Sequence, residues 1–188
     1  MPNNKPNQLM PMPILTIRAA VAADAIALAA LARQTFVESH GHSASANDIA
    51  AYVEEKYTDE QFKAELANAN YYYHLIYAGQ LLVGFSKVVL NNAPNADPQY
   101  AHGICKLERL YVLQAYYASG VGKALMQQAI DFSKTKQQQG MWLYVWIGNE
   151  RATRFYFKLG FEIIGSHDFR ISATHTNPNH QLYLKYKL

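Results

Sequence analysis

The sequence is poor in cysteine, in excess charge of either sign and in long apolar runs, and each shortage closes off a class of protein. A single cysteine, Cys105, among 188 residues excludes an intrachain disulfide and the usual zinc spacings, and it fits a reducing cytoplasm. Lys and Arg total 17 against 14 Asp and Glu, a net charge of +3, and the basic residues are scattered, so nothing suggests a nucleic-acid partner. No apolar run approaches the roughly 20 residues that cross a bilayer, so no membrane partner is expected. Met1 to Pro13 is rich in Pro and Asn and lacks an apolar h-region. It is expected to be a flexible tail ahead of one domain over 14–188. There is no internal repeat. What the chain does have is 50% hydrophobic residues, enough for a proper core, and 14 tyrosines, which suit amphipathic groove walls or a Tyr-rich sheet core.

The stretch from Lys106 to Gln138 organises the chain. Leu107 to Val112 alternates and is rich in branched and aromatic residues, which predicts a strand. From Gly122 onward Ala124, Leu125, Ala129, Ile130 and Phe132 recur at helical spacing. Between them lies Ser119-Gly120-Val121-Gly122-Lys123. Glycines at a helix N-terminus let a ligand approach the backbone, and the free N–H groups and positive dipole end favour phosphate. The segment therefore predicts a pyrophosphate cradle, with a ligand-free glycine turn as the alternative. It is not a P-loop, because Tyr117 stands at the first glycine position and Ala124 where the magnesium-binding hydroxyl belongs. It is a poor dinucleotide fingerprint, because Leu125 occupies the third glycine position.

Leu15 to Ala19 reads as a first strand, and Asp24 as the N-cap of a helix that buries Leu28, Leu31, Ala32, Thr35 and Phe36. Asn47 or Asp48 is expected to start a second helix. Thr58-Asp59-Glu60-Gln61 has capping-box form and opens a third. Tyr71 to Tyr77 and Leu81 to Leu90 predict a hairpin around Gly79, and the Pro- and Asn-rich Asn91 to Ala101 a loop. Gly140 is expected just past the end of the central helix. Met141 to Ile147 predicts a strand covered on both faces. Asn149 is placed to cap a helix over Glu150–Leu159, ended by Gly160. Phe161–Ile164, Phe169–Ser172 and Gln181–Lys187 predict the last strands. The order describes an α/β domain around a mixed sheet.

Asn149-x-x-Ala152-x-x-x-Tyr156-x-x-x-Gly160-Phe161, taken with the Gly120-x-Gly122 cradle, resembles the Gcn5-related N-acetyltransferase (GNAT) superfamily over almost the whole chain. More narrowly, Glu108–Val112, Trp142–Trp146, Asn149–Ala152, Gly165–Arg170 and Gln34-Thr35-Phe36 look like the PaiA-like branch, associated with spermidine and spermine acetylation. The resemblance implies a mostly antiparallel sheet of six to seven strands flanked by helices, with a V-shaped opening between the central strand and the next. It implies acetyl-CoA as cosubstrate, no metal, a small-molecule amine as partner, a cytoplasmic enzyme and a homodimer as one form of assembly. For the cofactor it implies Leu110, Tyr111 and Val112; Tyr117, Ser119, Gly120, Val121, Gly122, Lys123 and Ala124; and Asn149, Ala152, Tyr156 and Lys158. Tyr117 replaces the family's Gln or Arg, and Ala118-Ser119 a usual Gly-Lys or Gly-Arg, which leaves Lys123 and backbone N–H groups as the expected phosphate donors. His180 to Leu184 departs from the branch's Asp-containing strand.

An acceptor amine with a pKa near about 10 arrives as an ammonium and must lose a proton before it attacks. Glu108, on the central strand, is the candidate general base or water-holder, with an ion pair as its alternative role. By resemblance, the Leu110–Val112 backbone supplies an N–H to the thioester oxygen, and Tyr156 protonates the departing thiolate. Glu38, Glu54 and Glu55 would favour a polyamine if they faced the groove. His40-x-His42 lacks a third metal ligand, His74 and His167 read as packing or groove-lining groups, and Cys105 as a buried, inert thiol. The alternatives to a polyamine enzyme are acetylation of a peptide, a lysine or an amino-acid-like metabolite, and a non-catalytic acyl-CoA sensor.

Overall fold

The computed structural model describes residues 14–94, 100 and 103–187. The expected tail, Met1 to Pro13, and residues 95–99 and 101 of the expected loop lie outside the described residues. Alternating branched and aromatic residues form strands Leu15–Ala19 (β1), Tyr71–Ala78 (β2), Leu81–Val89 (β3), Ile104–Val112 (β4), Gly140–Trp146 (β5), Glu162–Arg170 (β6) and Thr176–Lys185 (β7). Helices are Ala25–His40 (α1), Ala46–Lys56 (α2), Asp59–Ala67 (α3), Val121–Thr135 (α4) and Glu150–Lys158 (α5). None of the described helices is long and apolar enough to cross a membrane.

The strands make one seven-stranded sheet in the order β1-β2-β3-β4-β5-β7-β6. Every neighbouring pair is antiparallel except β4 and β5. Leu28, Leu31 and Phe36 of α1 and Phe62 of α3 pack on Leu75 and Phe85 on one face. Met126 and Ala129 of α4 and Tyr156 of α5 pack on Cys105, Leu107 and Leu143 on the other. This is the mixed sheet that the element order predicts, mostly antiparallel as the family resemblance implies.

The parallel pair is short. It joins Ile104, Cys105 and Lys106 to Gly140, Met141 and Trp142, and beyond Lys106 the two strands diverge. β3 pairs Val88 with Leu107 and Lys87 with Arg109, so Glu108 is the extra residue of a β-bulge. The bulge changes the strand's phase. Leu107 faces α4 and α5, whereas Arg109 reaches Glu65 of α3 on the opposite face, with N–O distances of 3.0 and 3.2 Å.

Glu65, Lys87, Glu108, Arg109 and Tyr73 form a largely buried network beneath α3. Lys87 Nζ lies 2.7 Å from both Glu65 and Glu108, and it packs 3.7 Å from the centroid of Tyr71. Arg109 also donates to the Tyr73 hydroxyl at 2.6 Å, and Tyr73 donates to Glu65. Burial pushes the Glu65 carboxyl up, but Arg109 and the hydrogen bonds from Lys87 and Tyr73 outweigh it and hold the group at about 2.

Several local expectations are corrected. Asp24 does not cap α1 with its side chain; it accepts from Arg18 at 2.7 Å and from the Val21 N–H at 2.8 Å, closing the turn before the helix. The cap of α2 is Ser45, which accepts from the Asp48 N–H at 3.2 Å. Gly140 is the first residue of β5 rather than the residue after α4, whose left-handed exit falls at Gln137. A Cβ at 140 would stand 2.5 Å from the Tyr183 hydroxyl, so close ring packing explains that glycine. β6 is continuous, and β7 begins before Gln181. Pro178 is accommodated just past the last β5 partner, Asn179, where its carbonyl accepts from Ile147.

Removing Glu65 would leave Lys87 and Arg109 buried without their shared carboxylate. Glu65→Ala should therefore cost about 3–5 kcal/mol in urea unfolding at pH 7, and a loss below about 1 kcal/mol would show that the cations find other partners. Because the folded pKa lies below the ordinary 4.5, Glu65's contribution is complete above that value. It should disappear as pH falls toward about 2, and only in the parent protein.

Candidate active site

The divergence of β4 from β5 opens two clefts. The first, about 600 Å³, lies between β4, α4 and α5. Gly120 has φ +87°, a left-handed conformation that suits glycine, and Ala118 shares it at φ 60°. These residues turn the chain so that α4 begins with its end facing the cleft. Its first helical bond runs from the Ala124 N–H to the Gly120 carbonyl at 3.0 Å. The N–H groups of Val121, Gly122 and Lys123 therefore precede the hydrogen-bond ladder at the positive end of the helix.

Gly120, Gly122, Lys123 and Tyr117 line this cleft, and Lys158 reaches it from α5. Three residues of the predicted segment do not line it with their side chains. Val121 is buried in the core, Ala124 packs beside it, and Ser119 Oγ donates to the Tyr116 carbonyl at 2.6 Å. Arg151 and Arg154, which are not among the expected cofactor residues, also line the cleft. Arg151 lies 3.5 Å from the centroid of the Tyr117 ring, stacking on the residue that stands where the family has Gln or Arg. The legible signal was the run Arg151, Arg154 and Lys158 on one side of a nine-residue helix. With Lys123, four cations surround a cleft entered by a helix N-terminus, and they could hold a polyphosphate.

The second cleft, about 300 Å³, opens on the α1–α3 side. Its walls are largely aromatic, including Phe36, Tyr52, Tyr57, Tyr144, Trp146 and Phe169, and its charged lining is Lys106, Glu108 and Arg109. The Glu108 side chain is 31% exposed, 2.7 Å from Lys87 and 3.7 Å from Lys106, so the ion pair expected as its alternative role is present. Glu38, Glu54 and Glu55 do not line the groove. Glu38 accepts from the Gln114 N–H at 2.7 Å, and Glu55 pairs with Lys56. His167 stacks on Tyr144, and His74 packs against Phe132. Cys105 is fully buried, and burial pushes its thiol up to about 11.

Leu110, Tyr111, Asn149, Ala152 and Tyr156 line both clefts, so they mark the junction; Val112 lines the larger cleft alone. Asn149 Oδ1 caps α5 by accepting from the Ala152 N–H at 3.1 Å. The Leu113 N–H bonds to Val83 of β3 at 2.9 Å. Since backbone N–H groups alternate along a strand, those of Leu110 and Val112 point the other way, into the opening. Tyr156 is 8% exposed, and burial raises its phenol well above the usual value, so it stays protonated. The junction thus offers two backbone donors and one neutral hydroxyl.

Residues 31–161 match the family model described as Acetyltransferase (GNAT) family. The chain belongs to this family. An uncharacterised N-acetyltransferase of Lactobacillus delbrueckii subsp. lactis is 27% identical over 142 residues, covering 74% of this chain and 80% of that protein. The fold is also that of PaiA N-acetyltransferase from Thermoplasma acidophilum, solved with coenzyme A, at TM-score 0.73 and 23% identity over 92% of this chain and 99% of that one. Spermidine/spermine N-acetyltransferase SpeG from Vibrio cholerae aligns at TM-score 0.63 and 16% identity, over 91% and 92% of the two chains.

In this GNAT chain His40 is a neutral member of the aromatic wall. Burial first, and His42 second, lower its imidazole to about 4. An NMR titration should find the His40 ring protonating near about 4 rather than near 6.5. Folding stability should also fall as pH drops from about 6.5 toward 4, because the unfolded chain takes up a proton that the folded chain refuses. A His40 midpoint near 6.5 would mean that the groove wall is hydrated.

Proposed function

We propose that this GNAT enzyme transfers acetyl from acetyl-CoA to a primary amine of a small molecule, by direct attack with both substrates bound. The observation that carries the reading is the junction, where a cationic cleft and an aromatic groove meet at two backbone donors and a protonated Tyr156. Acetyl-CoA supplies the activated thioester. Its phosphates suit the α4 N-terminus, Lys123, Arg151, Arg154 and Lys158, and the cleft between α4 and α5 has room for its extended arm.

The Leu110 and Val112 N–H groups are the donors proposed for the thioester oxygen, where negative charge grows during attack. Glu108 takes the ammonium proton, directly or through water, held in place by Lys87 at 2.7 Å. Tyr156 delivers a proton to the departing sulfur, and its burial keeps that proton available. A reducing cytoplasm suits the free thiol of Cys105. The name of the SpeG structural neighbour, a spermidine/spermine N-acetyltransferase, supports a polyamine acceptor. Groove-facing Glu38, Glu54 and Glu55 would have added to that support, and they are elsewhere.

Acetyl-CoA should raise the melting temperature of the parent. Gly122→Asp is the cleaner test of the cradle, because a Cβ there meets only Val112 at 3.9 Å, whereas Gly120 has a left-handed backbone that would confound the result. The added carboxylate should abolish the thermal shift. Arg151→Ala should weaken binding by on the order of tenfold. Unchanged affinity in both variants would remove the phosphates from this cleft.

Tyr156→Phe should lower kcat by about ten- to a thousandfold with little change in acetyl-CoA affinity. Full activity in this variant would make Tyr156 a packing residue and solvent the proton source.

A further inference from the structure

The aromatic groove carries information about the acceptor that the family assignment does not. Among the described residues its charged lining is two cations, Lys106 and Arg109, and one carboxylate, Glu108. The cations are not free to be displaced. Arg109 is tied to Glu65 and Tyr73, and Lys106 sits 5.1 Å from the centroid of Trp142 and 3.7 Å from Glu108. Glu108 in turn already serves Lys87. A single ammonium can share that carboxylate and lie against ring faces. Each further ammonium would enter beside two fixed positive charges with no carboxylate to meet it, a costly desolvation.

A second, independent observation lies on the opposite wall. Asn179 of β7 pairs with Trp146 of β5, lines the groove and is only 7% exposed. Its Oδ1 is buried without a hydrogen-bond partner. Neighbouring Asn177 on the same face of β7 is fully engaged, donating to Ser43 Oγ at 2.8 Å, so the orphaned oxygen is local to Asn179. Asn179 lines the cleft while its amide oxygen meets no protein donor, so a turn of the amide lets an N–H of the occupant satisfy it.

We propose that the acceptor is an amine of single positive charge on an aromatic or apolar body, held between the ring walls, with Glu108 on one wall and the Asn179 amide on the other as the polar groups that receive its N–H donors. This rests on the acetyltransferase reading and narrows it. The body fills the space between Tyr52, Tyr144, Trp146 and Phe169, and the nitrogen points to the junction with Tyr156. Asn179 is thereby a specificity-determining residue on a strand that contributes nothing to the cofactor cleft.

The test compares 2-phenylethylamine and hexylamine with spermidine and spermine, by coenzyme A thiol release from acetyl-CoA, with the acetyl-CoA thermal shift measured alongside. The monoamines should exceed the polyamines in kcat/KM by about tenfold or more, with little dependence on salt. Asn179→Ala should raise the monoamine KM about three- to tenfold at unchanged acetyl-CoA KM. Asn179→Asp, which adds the missing carboxylate, should move selectivity toward spermidine. Melting temperatures of both variants report whether they fold. Spermidine or spermine as the preferred acceptor of the parent, or inert monoamines with acetyl-CoA still bound, would overturn the inference. An absence of thiol release with every amine, together with no acetyl-CoA shift, would instead overturn the acetyltransferase reading.

Discussion

The parallel contact between β4 and β5 lasts for three residue pairs, and much of the molecule is arranged around its ending. A parallel sheet normally continues until a loop stops it, with its backbone groups satisfied on both sides. Here β4 stays paired with β3 through Val112 while its other edge is left open. An open edge inside a sheet is unfavourable unless something binds there. The two clefts meet at that edge, so the donors that the sheet leaves unpaired are the ones a reacting carbonyl needs.

A strand that leaves one neighbour must be held by other means. The buried network of Glu65, Lys87 and Arg109 does this, tying β4 to β3 and α3 at the level of the divergence. The charges are costly to bury, and an apolar cluster of equal volume could be as stable. Their geometry, however, also orients Glu108 through Lys87. The brace of the fold and the polar edge of the acceptor groove are therefore one network.

Much of this was legible in the sequence. The Leu107–Val112 strand, the glycine turn before α4 and the Asn149 cap each follow from local chemistry, and the structure bears all three out. The misses share a cause. Gly140 was read by its place after a helix, but the ring of Tyr183, distant in sequence, decides its role. Arg151 was absent from the expected donors because its stacking on Tyr117 joins two elements more than 30 positions apart. The Lys87 partner of Glu108 depends on the β3–β4 register, which a bulge at Glu108 shifts by one residue, and the orphaned amide of Asn179 depends on the separate pairing of β7 with β5. Local propensity cannot report that shift.

The bulge has a consequence for how such a site can change over generations. From Arg109 onward, alternate side chains of β4 belong to different sides, Arg109 and Tyr111 toward the aromatic groove and Leu110 and Val112 toward α4. The packing on α4 is thus separate from the groove face, although Arg109 is held by the Glu65 network and Tyr111 borders both clefts. Loss or gain of a single residue at 108 is another matter. It would exchange the two sides over half the strand at once, so this position should tolerate replacement far better than any change in length.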